Sequence, residues 1–294
     1  MKTLHLKNPT MLASGIMNED AGSMKRVLQS GAAAVVTKSI GLQPRIGHLN
    51  PTFVELECGI LNAMGLPNPG IHHYKKEIQE VLETQGIIIG SIFGSTKEEF
   101  QELASQMQEA GVHAVELNLS CPHAEGYGLE IGQDPKLVKS ITSFVKEKIS
   151  IPVFVKLSSN VNDIVLIAKA AQEGHADALV AINTVKAMSI NIDIAKPILA
   201  HKTGGYSGKA IKPIGIRCIY DIYEHTSIPL IGVGGITTGK DAVEYIMAGA
   251  SSFQIGTAVY SRGINVFNQV CEEIETWMKQ HDYSSIEELI GVAH

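Results

Sequence analysis

Apolar positions along this chain gather in eight short runs that do not alternate with polar ones: Met11–Ser14, Ala33–Lys38, Gly86–Ile92, Ala114–Leu119, Pro152–Leu157, Ala178–Asn183, Pro229–Gly234 and Ser252–Gly256. Most are dense in Val and Ile, the pattern of strands buried on both faces of a parallel sheet. Helical stretches of mixed polarity lie between them. Thr96–Ala110 is the plainest: Thr96 stands where an N-cap belongs, Glu98 and Glu99 fall in the first turn, and Gly111 follows the end. Val138–Lys148, Asp163–Glu173, Pro213–His225 and Lys240–Ala248 read the same way, with Pro135 and Pro213 at first-turn positions. Alternation of strand and helix with no linker predicts an α/β fold, a (β/α)8 TIM barrel that takes residues 1–294 as one domain. An open doubly wound sheet fits less well, because the glycine-rich turns come at the end of the chain.

Three stretches exceed an ordinary βα loop: Ile40–Gly70 after the second strand, Ser120–Gly132 after the fourth and Val185–Lys212 after the sixth. In a barrel such loops extend the C-terminal face, where sites are built. The residues ending the strands are Ser14, Lys38, Ser91, Asn118, Lys156 and Asn183, followed by Gly234–Gly235 and Gly256–Thr257. One such residue is an ordinary helix cap. Two lysines and two asparagines on one rim instead suggest an anionic ligand or an electron-rich cofactor, since a buried lysine needs a partner to keep its charge. The glycines of GVGGI (Gly232–Ile236) and QIGTAV (Gln254–Val259) let backbone N–H groups approach a phosphate, and KTGGYSG (Lys202–Gly208) is a third segment able to close over it.

Composition narrows the classes. Hydrophobic content of 45%, charged content of 18% and a net charge of −6 describe an ordinary core, and the absence of a basic tract argues against nucleic acid or an anionic membrane as partner. No long apolar run marks a leader or a membrane span, so a cytoplasmic location is expected. The four cysteines lie far apart without zinc or cluster spacing, which predicts free thiols and no metal held by this chain alone. Cys121, in NLSCPH just past the fourth strand, is placed to act as a proton acceptor at the mouth of a site; Cys58 is the second candidate, and Cys218 and Cys271 belong to packing. The histidines show no metal-binding spacing, and only His123 lies beside Cys121.

The segments NPTMLASG, VVTKSIGLQPRIG, GILNAMGLPNPG, ELNLSCPH, VFVKLSSNVNDI, AINT, KPILAHKTGGYSG, GVGGI and FQIGTAV resemble class 1 dihydroorotate dehydrogenases, most of all the catalytic subunit of the NAD-linked 1B type and its archaeal relatives. The resemblance runs from about Asn8 to the terminal SSIEELIGVAH. It implies FMN, held by Ser14, Lys38, Ser39, Asn118, Lys156, Ile182, Ser207, Gly208, Gly234, Gly235, Gly256 and Thr257. It implies a pyrimidine held by Lys38, Asn62, Met64, Gly65, Leu66, Asn118, Asn183 and Thr184, with Cys121 as catalytic base. The residue types suit that chemistry. Cys121 takes the C5 proton, the C6 hydride goes to flavin N5, and Lys156 answers the negative charge the reduced ring acquires. Asparagines pair with the alternating N–H and C=O groups of a pyrimidine edge. The family also implies a homodimer and, for the 1B type, a partner subunit carrying FAD and a 2Fe–2S cluster.

Two positions depart from the family. Most class 1 members read SCPN where this chain has His123, and the stretch Ser120–Pro135 resembles the pyrimidine domain of dihydropyrimidine dehydrogenase. Ser91 stands where Asn is common. Reduction of uracil or thymine therefore stands as an alternative to oxidation of dihydroorotate. A phosphate-binding lyase or isomerase without flavin is the alternative of a different class.

Overall fold

A computed structural model of the chain describes residues 4–119 and 129–294. Eight parallel strands close a barrel in chain order: β1 (Thr10–Leu12), β2 (Ala34–Val36), β3 (Ile87–Ile92), β4 (Ala114–Asn118), β5 (Val153–Leu157), β6 (Ala178–Ala181), β7 (Leu230–Val233) and β8 (Ala250–Ile255), with β8 pairing back on β1. These are the eight apolar runs of the sequence, with ends shifted by up to two residues; β1 and β8 begin earlier than expected, at Thr10 and Ala250. The helices α1 (Ala21–Gln29), α2 (Ile71–Leu82), α3 (Lys97–Ala110), α4 (Pro135–Lys146), α5 (Ile164–Glu173), α6 (Lys212–Tyr223), α7 (Gly239–Met247) and α8 (Val266–Gln280) each follow a strand. Their ends obey local chemistry. Thr96 accepts from the Glu99 N–H at the start of α3, and Gly111 closes it with a left-handed φ of 95°. Asp134 caps α4 one residue before Pro135, so that helix begins earlier than its apolar pattern alone implied.

Because side chains alternate along a strand, each strand has one face inside the barrel and one against the helices. The outer faces, with Leu12, Val35, Val115, Val155 and Leu179, join the helices in the main core. The inner faces split by height. Met11, Ala34, Ile89, Ala114, Phe154, Ala178 and Ile231 fill the lower part, and Leu4 and Leu6, just ahead of β1, pack onto it. Two residues further along their strands come polar groups: Ser91, Glu116 and Lys156. The barrel is thus dry below and polar above.

The long loops fold into a second sheet not foreseen from the sequence. Phe53–Leu56, Gly59–Asn62, Thr203–Ser207 and Val185–Met188 make four antiparallel strands in that order, joining the loop after β2 to the loop after β6 through Asn62 opposite Gly205. Leu61, Ala63 and Leu199 form its small core. None of the helices among the described residues is long and apolar enough to cross a membrane.

Candidate active site

Between the strand ends and this upper sheet lies a cavity of about 550 Å³. Ser14, Lys38, Ser39, Asn118, Lys156, Ile182, Ser207, Gly208, Gly234, Gly235, Gly256 and Thr257, the residues expected to hold a cofactor, all line it. So do Asn62, Met64, Gly65, Leu66, Asn183 and Thr184, expected to hold a substrate. Residues drawn from both long loops and from seven strand ends therefore meet in one volume. Cys121 and His123 lie outside the described residues. Of the other cysteines, Cys58 is exposed and lines the cavity, Cys218 is buried on α6 and Cys271 is half-buried on α8; all three are free thiols.

The two lysines of the rim are partnered by the chain itself rather than waiting on a ligand. Lys38 Nζ lies 3.0 Å from Glu19 Oε1, a carboxylate that is itself largely exposed on the cavity wall. Lys156 is buried, and its Nζ donates to Gln254 Oε1 at 2.8 Å. Gln254 Nε2 in turn donates to Glu116 Oε2 at 2.7 Å, while the second Glu116 oxygen lies 4.0 Å from Lys156 Nζ. Burial pulls the Lys156 ammonium down from its ordinary range, and the Glu116 charge opposes that pull. Neither Glu116, Gln254 nor Glu19 was given a role in the sequence reading. Sequence alone does not mark the first two, because each shares the inward face of its strand with another polar residue, Glu116 with Asn118 and Gln254 with Ser252.

Around Asn118 the side chains form a hydrogen-bonded row. Asn118 Nδ2 donates to Ser39 Oγ at 2.9 Å, Ser39 and Ser91 hydroxyls are 2.8 Å apart, and Ser14 Oγ is 3.3 Å from Ser39 Oγ. Asn118 Oδ1 is buried without a partner among the described residues. Ser91, the departure from the family pattern, thus keeps a polar link here through its hydroxyl. Asn68 holds the Met64–Leu66 loop: its Oδ1 accepts from Gly41 and Gly70 N–H groups at 3.2 and 2.9 Å, and its Nδ2 donates to the Leu66 carbonyl at 2.9 Å. Asn160 does the same for the loop after β6, donating to Thr184 O at 3.0 Å and accepting from Lys186 N–H at 2.9 Å.

The glycine-rich end is packed to leave room. At Gly235, with φ of +71°, a Cβ would lie 2.8 Å from both the Gly208 carbonyl oxygen and Lys212 Cβ, so the two segments can approach this closely only with no side chain at position 235. At Gly256 a Cβ would touch only Ala13 Cβ, at 3.5 Å, and would otherwise stand in the cavity. Thr257 Oγ1 donates to Ser207 Oγ at 2.8 Å, tying the end of β8 to the upper sheet. From behind, Arg262 donates to the Thr237 carbonyl at 2.7 Å and pairs with Glu273, whose carboxylate also accepts from the Gly239 N–H.

The family model for dihydroorotate dehydrogenase matches residues 1–278. A protein of Methanocaldococcus jannaschii named dihydroorotate dehydrogenase B (NAD(+)), catalytic subunit, is 53% identical over 295 residues, which cover 99% of this chain and 96% of that one. The protein of the same name from Thermoplasma acidophilum is 52% identical over 290 residues, again 99% and 96% of the two chains. In three dimensions, the crystal structure of DHODH from Eimeria tenella in complex with ferulenol superposes with a TM-score of 0.88 at 24% identity, covering 100% of this chain and 87% of that one, a likeness of fold.

Proposed function

This chain belongs to the dihydroorotate dehydrogenase family, and from that premise we propose that its cavity oxidises dihydroorotate to orotate over FMN, in pyrimidine biosynthesis. The observation that carries the reading is the meeting, in one cavity, of a buried lysine, a rim lysine, three asparagines and the glycine-rich ends of β7 and β8. The donor set fits a flavin mononucleotide. Gly208, Gly234, Gly235 and Gly256 leave a backbone-lined space suited to a phosphate. The buried Asn118 Oδ1 calls for an N–H donor, which flavin and pyrimidine both offer.

FMN, when bound, supplies the acceptor for the hydride that leaves C6 of the substrate. The protein does the rest. Lys156, Ser14, Ser39, Ile182, Ser207 and Thr257 hold and orient the flavin, and Lys156 stabilises the negative charge that reduction places on the ring. Asn62, Asn118, Asn183 and Thr184 grip the pyrimidine edge, the loop Met64–Leu66 covers it, and Lys38 answers its carboxylate. Cys121 takes the C5 proton. Asn68 and Asn160 keep water out by holding both loops closed over the site. Two partners complete the assembly: a second copy of this chain, and a subunit with FAD and a 2Fe–2S cluster that carries the electrons to NAD, in keeping with relatives named as catalytic subunits.

The test is anaerobic mixing of the purified yellow protein with dihydroorotate or with dihydrouracil, followed at about 450 nm, the band of oxidised flavin. Fast bleaching with dihydroorotate alone is expected. Bleaching with dihydrouracil alone would transfer the site to a dihydropyrimidine without a carboxylate and make His123 the residue that sets the choice. A colourless protein that cannot be reconstituted with FMN would sink the cofactor assignment.

A further inference from the structure

Glu116 is a carboxylate buried in the barrel wall, 1% exposed. A charge in that position is costly unless it is paired and hydrogen-bonded, so its presence needs a reason. Its two contacts lead to one place. Gln254, wholly buried on β8, has a single workable orientation: its carbonyl accepts from the Lys156 ammonium and its amide donates to Glu116. Turned over, it would set N–H against ammonium and C=O against carboxylate. The three side chains therefore form one row across β4, β8 and β5 in the cavity wall, with Lys156 the most open of them at 6% exposed.

Nothing else among the described residues does what Glu116 does for Lys156. The neighbouring β6 presents Ala178 and Val180, β7 presents Ile231 and Val233, and β8 adds Ser252 beside Gln254, all without charge. Lys38, the other cation of the rim, is turned to Glu19. Glu116 is the titratable side chain whose charge bears on Lys156.

We infer that Glu116, acting through Gln254, is a positioning residue that keeps Lys156 protonated in both redox states of the flavin, so that reduction of the flavin draws no further proton into the barrel. This rests on the FMN reading above. In the parent protein two electrons and one proton reach the flavin together, as the hydride from substrate C6, and Lys156 meets the new negative charge already positive. On this inference, without the Glu116 charge the pull of burial on Lys156 would go unopposed, and the amine would lose its proton while the flavin is oxidised. It would then take one proton from solvent, at Nζ, each time the ring became anionic.

The measurement is the flavin midpoint potential as a function of pH, from pH 7.5 to 9, by dye-equilibrated reduction of the reconstituted holoenzyme. One proton per two electrons shifts the potential by about 30 mV for each tenfold change in proton activity. The parent should follow that slope without a break. Glu116→Gln should show about twice the slope, and Glu116→Asp, which keeps the charge, should return to the parent's. Parallel slopes for parent and Glu116→Gln would overturn the inference. So would a break to the steeper slope in the parent itself, or a Glu116→Asp slope as steep as that expected for Glu116→Gln; these last two decide the matter even where Glu116→Gln fails to fold. Failure of the parent to take up flavin would sink the reading of the cavity and this inference with it, whereas normal flavin reduction with parallel slopes sinks the inference alone.

Discussion

At the scale of single residues, the site is a set of charges paired within the chain. Lys38 is held by Glu19, and since Glu19 is 68% exposed the pair contributes little, at most about 1 kcal/mol. A carboxylate-bearing substrate must displace or share that contact. Glu19→Gln is therefore expected to lower the Michaelis constant for dihydroorotate by up to about five-fold, the equivalent of that ion pair. The gain should shrink at high salt, because the rim is open to counter-ions. A raised Michaelis constant would mean instead that Glu19 orients Lys38 for the substrate. Cys121→Ser is the sharper test of the proposed base. A hydroxyl holds its proton far more tightly than a thiol, so the rate of flavin reduction by dihydroorotate near neutral pH should fall by about 10²-fold or more, the usual worth of a positioned base. Stopped-flow bleaching measures it, and an unchanged rate would remove Cys121 from that role. The residues that end strands were legible in the sequence because a polar residue after an apolar run is conspicuous. Glu116, Gln254 and Glu19 were not, because each acts through a second residue from a distant strand or loop, and those pairings exist only once the barrel closes.

At the scale of elements, the strands and most helix ends were readable because their signals are local: runs of Val and Ile, Thr96 and Asp163 as caps, Gly111 as a stop. The upper sheet was not. Its strands are short, one of them is Thr-Gly-Gly-Tyr-Ser, and its central pairing joins Asn62 to Gly205, 143 residues apart, so no local pattern marks it. The turn between β7 and α7 shows how an element supports the site. Asp241 accepts from the Thr237 and Thr238 N–H groups at 3.0 and 2.7 Å and from Lys212 at 2.8 Å, locking the glycine-rich turn to α6. Burial pushes the Asp241 carboxyl up, but these bonds outweigh it and hold it below its ordinary value of 3.8. A lowered folded value means that the stabilisation is present above the unfolded value and is lost as the pH falls through the folded one. Asp241→Asn should thus cost about 1–3 kcal/mol at neutral pH, the worth of a buried hydrogen-bond set to a charged group. The gap between parent and variant, read by urea unfolding at a series of pH values, should close as the pH is taken well below 3.8. A gap that stays constant with pH would show that the cost does not come from the carboxylate's charge.

At the scale of the whole molecule, the cavity is made by parts that are far apart in sequence, from Ser14 on the first strand end to Thr257 on the last. In the proposed reading no subset of the barrel suffices for FMN, because its phosphate end would draw on β7, β8 and the loop reaching Gly208, and its ring end on Lys156, Asn118 and Ser39. Flavin binding must therefore favour the closed barrel over every opened form and over the unfolded chain alike. Linkage then fixes the size of the effect: free FMN at a hundred times its dissociation constant should add about 2.7 kcal/mol to the unfolding free energy. Thermal melts of flavin-stripped protein across an FMN titration should show one cooperative transition rising continuously with ligand, and the dissociation constant drawn from that rise should agree with the one measured by flavin fluorescence. Lys156→Met and Gly256→Val should each flatten the rise, the first by removing the cation proposed to hold the flavin and the second by placing a side chain in the space a flavin would occupy. A melt that splits, with only one of its two steps moving, would mean that the flavin is held by a part of the chain that folds by itself, and the claim that the site and the barrel close together would fall.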